Sequence, residues 1–263
     1  DAAGNASSAT QTVEIVGRPA LAAAGALQIG NRVIVRHGSG APATVSTLGS
    51  DDLTIGVDAH VGDVVAARGV EARNRAHVDG FIKAGGSFRR GNGVVVGGTV
   101  VTGVLPQLFP APTITTVFPP VGSDVMIEPG RTEMIRPGSY GQVVLKPRST
   151  LTLVEGTFHM QSLIVEPGAR LVLAGATTIF VRNRLQWKGS TAGAGGATPR
   201  LFIGYAGIET VFVASPFTGT LIAPAARLVL SPAGAPGFQG EFFANQLEVG
   251  PGTTVIHEPF SCP

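Results

Sequence analysis

Residues 145 to 173 read LKPRSTLTLVEGTFHMQSLIVEPGARLVL and contain one phrase twice. Leu145-Lys146-Pro147-Arg148-Ser149-Thr150-Leu151-Thr152-Leu153 aligns without a gap on Val165-Glu166-Pro167-Gly168-Ala169-Arg170-Leu171-Val172-Leu173, twenty residues later. Each copy has an apolar residue, a variable one, a proline, three small or polar positions and then apolar-x-apolar. Ile222 to Leu230 repeats the phrase, and Val249 to His257 repeats it more loosely. Leu-x-Leu alternation sends two side chains to one side of a strand and one to the other. Proline cannot donate to a ladder and belongs at a corner or strand start, where Pro-Gly or Pro-Ala completes the turn.

Twenty residues cannot close a core alone, but stacked copies can, each strand bonding its copy in the next coil. The fold expected is therefore all-β, a single-stranded β-helix (β-solenoid) with coils of about 17–21 residues. A β-sandwich is the alternative, because short strands at regular spacing suit it as well.

The composition agrees with a narrow coil. The 263 residues include 37 glycines and 19 prolines, and only 14% are charged. Net charge is +2, and sixteen of the nineteen basic residues are arginine. Arg89-Arg90 is the only adjacent basic pair and aromatics are 6%, so neither a basic arm nor a base-stacking platform is present and nucleic acid is excluded as a partner. No apolar run reaches the ~18 residues of a spanning helix. Asp1 is not followed by the charged and apolar regions of a signal peptide, which a secreted chain loses on export. Cys262, the only cysteine, is either a free tail thiol or an intermolecular attachment point.

In chain order, residues 1–28 form a terminal strand and linker. Asp1, Gly4 and Asn5, followed by alternation through Thr10, Thr12 and Glu14 against Val13 and Ile15, resemble the last hairpin of bacterial immunoglobulin-like repeats. The earlier strands of such a domain are absent. Either a domain boundary falls here, or Val13 and Ile15 belong to a donor strand that completes a neighbour. Residues 17 to 28 read as a short alanine-rich helix or an extended linker.

Residues 29–103 form a first solenoid section. Asn74 to Gly80 aligns with Asn92 to Gly98 at a spacing of eighteen, and Ala59-His60-Val61 recurs as Ala76-His77-Val78 at seventeen. The rhythm of apolar-Gly and Val-x-Gly corners resembles the bactofilin-like, polymer-forming β-helix proteins of bacteria. That resemblance implies coiling and end-to-end assembly and carries over no catalytic residue. Residues 104–124, with Pro106, Pro110, Pro112, Pro119 and Pro120, form a stiff extended linker whose Phe109 and Phe118 are placed to pack along a coil face. Residues 125–263 form a second section. Its Gly138-Ser139-Tyr140-Gly141 corner, its Leu151 to Phe158 strand pair and its Phe-x-Gly repeats at Phe217 and Phe238 resemble a module of secreted bacterial surface proteins. Ser190 to Thr198 and Ser231 to Gly237 read as loops thrown out from the coil.

Some β-helices cleave polysaccharides with a calcium-binding acidic cluster and a nearby base. Asp51, Asp52, Asp58 and Asp63 lack the spacing of a calcium loop and read as solvated turn carboxylates. His60 and His77 fall at equivalent places in adjacent coils and should stack, but no third ligand is evident, so no metal and no cofactor are expected. No catalytic residue is assigned. The function expected is a secreted or cell-surface structural protein, a self-associating subunit of a filament or matrix. Copies of the chain are its expected partners, with cell-surface polysaccharide a further one. The alternative is a carbohydrate-binding or polysaccharide-degrading β-helix, with Trp187 stacking on a sugar unless it caps an edge of the coil.

Overall fold

The computed structural model describes residues 18–232 and 237–258. Among these residues twenty-six strands wind into a β-solenoid of about 12 turns. Every strand pairing among the described residues is parallel; the isolated bridge Arg36–Pro42 alone is antiparallel. A sandwich is excluded, because its sheets are antiparallel.

Each full turn has three faces. In one turn these are Val64–Ala66, Val70–Ala72 and His77–Val78, here the first, second and third faces. The next turn repeats them as Ile82–Ala84, Phe88–Arg90 and Val95–Val96, in register at eighteen residues. Alternation decides which side chains go inward. Val64, Ala66, Val70, Ala72, Val78, Ile82 and Ala84 are all buried, while Glu71 and Lys83 between them reach solvent; Val65 alternates with its neighbours but is also buried.

Side chains at the corners tie one turn to the next. Asp52 Oδ1 accepts from the Gly69 amide and Asp63 Oδ1 from the Phe81 amide, each at 3.0 Å. Asn74 Oδ1 accepts from the Asn92 amide at 3.0 Å, and Asp124 Oδ1 from Gln142 at 2.7 Å. Strands are too short to satisfy corner amides themselves, so these acceptors replace ladder bonds. The corner before the third face needs a left-handed residue, met by Arg32, Asp58 and Arg75 with φ of 57°, 56° and 57° and by Gly93 at 68°. Arg75 donates to Asp58 at 2.6 and 2.8 Å, holding two of these positions together.

The turns do not stack in sequence order. The lowest turn holds Val125–Ile127 and Thr132–Ile135, and the chain climbs from there to Thr254–His257. The next turn is supplied by the other end of the chain. Leu21–Ala23 stacks on Phe242–Ala244, Leu27–Ile29 on Leu247–Val249, and Ile34–His37 on Thr254–His257. The climb then continues to the uppermost strand, Val100–Thr102. The two sections thus form one continuous solenoid.

The proline-rich segment runs back down the outside of the first face. Leu105 lies beside Gly85. Phe109, Pro110 and Pro112 then line a pocket with Ala22, Leu48, Ile222 and Phe243. Thr116 Oγ1 lies 3.2 Å from His159 Nε2, and the Phe118 ring meets that of His159 edge-on at 5.9 Å. Ser139 Oγ finally donates to the Pro120 carbonyl at 2.7 Å. The lengths agree: twelve turns at ~4.8 Å rise by roughly 55 Å, and twenty-one residues at ~3.1 Å in polyproline geometry reach roughly 65 Å. Phe109 and Phe118 therefore pack along a coil face, as expected of them.

Three sequence expectations are corrected. Residues 18 to 28 are not helical, because Ala20, Leu21 and Ala23 fill the core beside Phe242 and Ala244, and burial overrides alanine's helix propensity. Ser190–Gly193 is a strand paired with Arg170–Leu173, since a parallel ladder uses backbone groups and tolerates small side chains. The third copy of the phrase is out of phase. Leu171–Leu173 lies on the third face over Leu151–Leu153, whereas Leu228–Leu230 lies on the second face over Val211–Val213. The phrase marks a corner, and different corners accept it.

Candidate functional site

The two ends of the solenoid are unfinished, and in complementary ways. At the upper end Val100–Thr102 extends the first face by one strand beyond Phe88–Arg90 and Val95–Val96. At the lower end Val125–Ile127 supplies the second face and Thr132–Ile135 the third, and the first-face strand begins only in the following turn, at Gly138. Among the described residues no strand lies below Gly138 on the first face; the end of the proline-rich segment passes there, the Ser123 carbonyl accepting from the Gly141 amide at 3.1 Å. Counted in strands, the upper end carries a first-face strand and the lower end a second-face and a third-face strand.

Among the apolar side chains at these ends, Val100 continues a core column, while Val95, Val101, Met126 and Met134 continue outward ones. Ile82 is fully buried, but Val100, its copy one turn up, is 43% exposed. Val95, Val101, Val104 and Leu105 are exposed around it. Met126 and Met134 are exposed at the lower end, so the ends hold seven of the twelve large exposed apolar side chains. Each end also has one charge in a core column. Arg90 continues the column of buried Ala72 and donates to the Val94 carbonyl at 3.2 Å. Glu133 precedes buried Leu151 in its column. The upper end is therefore apolar with a cation, and the lower end apolar with an anion.

A histidine cluster lies on the third face, near the upper end. Register places Thr254, Ile34, His60, His77 and Val95 in one outward column. The two imidazoles lie 4.6 Å apart and tilted by 45°, so the stacking read from the seventeen-residue spacing is present. Asp79 joins them: His60 Nε2 is 2.6 Å from Oδ2, and His77 Nε2 is 2.9 Å from Oδ1. Alternation within His77-Val78-Asp79 already places both polar side chains on one side of the strand, the signal by which sequence reading could have found this third group.

A second polar chain closes the seam between the two sections. Glu241 is buried, with Arg18 Nη1 at 3.4 Å from Oε2 and His257 Nε2 at 3.2 Å from Oε1. His257 Nδ1 lies 3.1 Å from His37 Nδ1 in the next turn. Burial, and then the neighbouring His257, push the His37 pKa down. Burial beneath the strap lowers that of His159.

The remaining candidates fare as follows. Trp187 is fully buried, its ring edge-on to Phe217 at 5.4 Å, so it neither offers a sugar a stacking face nor caps an edge. Asp52, Asp58 and Asp63 are engaged at corners as described. Val13, Ile15 and Cys262 lie outside the described residues. No helix among the described residues is long and apolar enough to cross a membrane. Compared with protein-family models, with curated proteins and with solved structures, the chain matches none.

Proposed function

We propose that this chain is a structural subunit that joins copies of itself head to tail into a filament or matrix, outside the cell or on its surface. The observation that carries this reading is the complementarity of the two ends. Solenoids that remain single need capping repeats with a polar outer face. Here Val100 leaves a core position half-exposed at the upper end, and the outer edges of Val100–Thr102, Val125–Ile127 and Thr132–Ile135 have no strand paired beyond them, edges that template pairing with another chain. The two ends are different surfaces, so the contact is heterologous and propagates into an open assembly. Arg90 above and Glu133 below favour this polarity over joining like ends. Assembly of this kind is what the resemblance to polymer-forming β-helix proteins implies. The corner roles of Asp52, Asp58 and Asp63 and the burial of Trp187 also favour a scaffold over a carbohydrate-active site.

Val100→Asp tests the reading. The position is half-exposed in the free chain, so the melting temperature should hold within about 2 °C, as for a surface substitution. At an end-to-end contact the same carboxylate is buried without a partner. Sedimentation velocity should show the parent forming larger species as concentration rises and the variant remaining monomeric. A variant that assembles like the parent contradicts the proposal.

A further inference from the structure

We infer that His60, His77 and Asp79 form a binding site for a borderline first-row divalent cation, with zinc as its representative. Two imidazole nitrogens and a carboxylate oxygen are the donor set such ions prefer. Calcium and magnesium prefer all-oxygen shells and are disfavoured. The potential ligand atoms lie within 4.8 Å of one another. Tetrahedral zinc with bonds of ~2.0–2.1 Å holds its ligand atoms roughly 3.4 Å apart, a closure that side-chain rotation supplies.

The scaffold around the cluster is rigid where a site requires it. Val61 and Val78, beside the two histidines, are buried and paired in register. His60 and His77 are thereby fixed on adjacent rungs. Asp79 follows Val78, whose partners Val61 below and Val96 above are each followed by a glycine, Gly62 and Gly97. Neither glycine presents a side chain that would fill the space between the carboxylate and the rings. A Cβ on Gly97 would lie 2.3 Å from the Asp79 carbonyl oxygen, so that position excludes larger residues.

The three side chains are 45%, 44% and 29% exposed. Three protein ligands with solvent access leave the fourth coordination position open to water. The column continues above and below the rings with exposed Ile34 and Val95, which confine the ion to the two rungs that carry histidine.

The test is calorimetric titration of the full chain with zinc chloride, and separately with calcium chloride, in a Cys262→Ser background that removes the thiol. The result expected is one zinc per chain and no calcium. His60→Gln, His77→Gln and Asp79→Asn should each weaken zinc binding by more than about tenfold, since loss even of an outer-shell partner costs ~10–100-fold. His159→Gln, far from the cluster, should leave it unchanged. Glutamine approximates the size of histidine at these exposed positions, and circular dichroism confirms that each variant keeps its β signature. Absence of zinc binding in Cys262→Ser, or binding that survives the double variant His60→Gln/His77→Gln, overturns the assignment.

Discussion

Arg18 reaches Glu241 across 223 residues of sequence, Nη1 lying 3.4 Å from Oε2. The contact exists because the solenoid is assembled from the chain's two halves in reverse order, with the seam in the middle of the stack. Glu241 is 6% exposed, and His257 holds its other oxygen. Removing the carboxylate leaves Arg18 and His257 without their partner at a partly desolvated site. Glu241→Ala should cost about 2–4 kcal/mol. Denaturant unfolding measures this, and a loss below about 0.5 kcal/mol would show that the seam does not depend on the pair.

The seam also predicts tolerance to a rearranged connection. A circular permutant that opens the chain between Gly103 and Val104, and links Glu258 to Arg18 through a flexible segment, retains every strand pairing and keeps the strap attached to the lowest turn. It should give the parent's circular dichroism spectrum and a single unfolding transition within several degrees of the parent. A permutant that fails to form β structure would contradict the stacking order.

Stability should fall with acidification through the histidines whose pKa is lowered. His37 is pushed down by burial and by His257, and His159 by burial under Thr116 and Phe118. The folded chain therefore holds these rings neutral more strongly than the unfolded chain does. As pH falls through ~6.5 the unfolded state binds protons first. This contribution is full above that value and is lost between it and the lowered folded values. Melting temperatures at pH 8 and pH 5.5 should differ less in His37→Gln/His159→Gln than in the parent. An unchanged difference would remove both rings from the account.

Leu171 tests the register of the third face. It is fully buried between Leu151 and Thr191 in adjacent turns. Leu171→Asp places a carboxylate among stacked aliphatics and should cost about 3–5 kcal/mol, whereas exposed Arg170→Asp should cost under about 0.5 kcal/mol. Urea unfolding of the two variants gives the comparison. Equal costs would mean that the strand faces the other way.

The parts of the fold legible in the sequence are those that repeat locally. Leu151 and Leu171 share a phrase, and the structure stacks them; His60 and His77 share Ala-His-Val, and the structure stacks those too. Strand and corner chemistry act over one turn, so a period of about twenty residues records them. Leu21 and Phe242 share no phrase. Their pairing follows from the whole stack, and nothing near either residue signals it. Ala20 to Ala24 misled for the same reason, because their neighbours come from the far end of the chain. Asp79 was missed, although alternation within His77-Val78-Asp79 puts it on the histidine side of the strand. The burial of Trp187 was not legible, since an aromatic residue after two arginines reads equally well as surface or core. The complementary ends depend on where the first and last turns stop, which no repeat records.

The central claim is that copies stack end to end so that one strand above and two below make a whole turn. Electron microscopy of the purified chain at increasing concentration measures this directly. The account predicts unbranched filaments with an axial repeat of roughly 55–60 Å, about twelve turns at ~4.8 Å each. Isolated short rods at every concentration and salt, or filaments whose repeat corresponds to side-by-side packing, would contradict it.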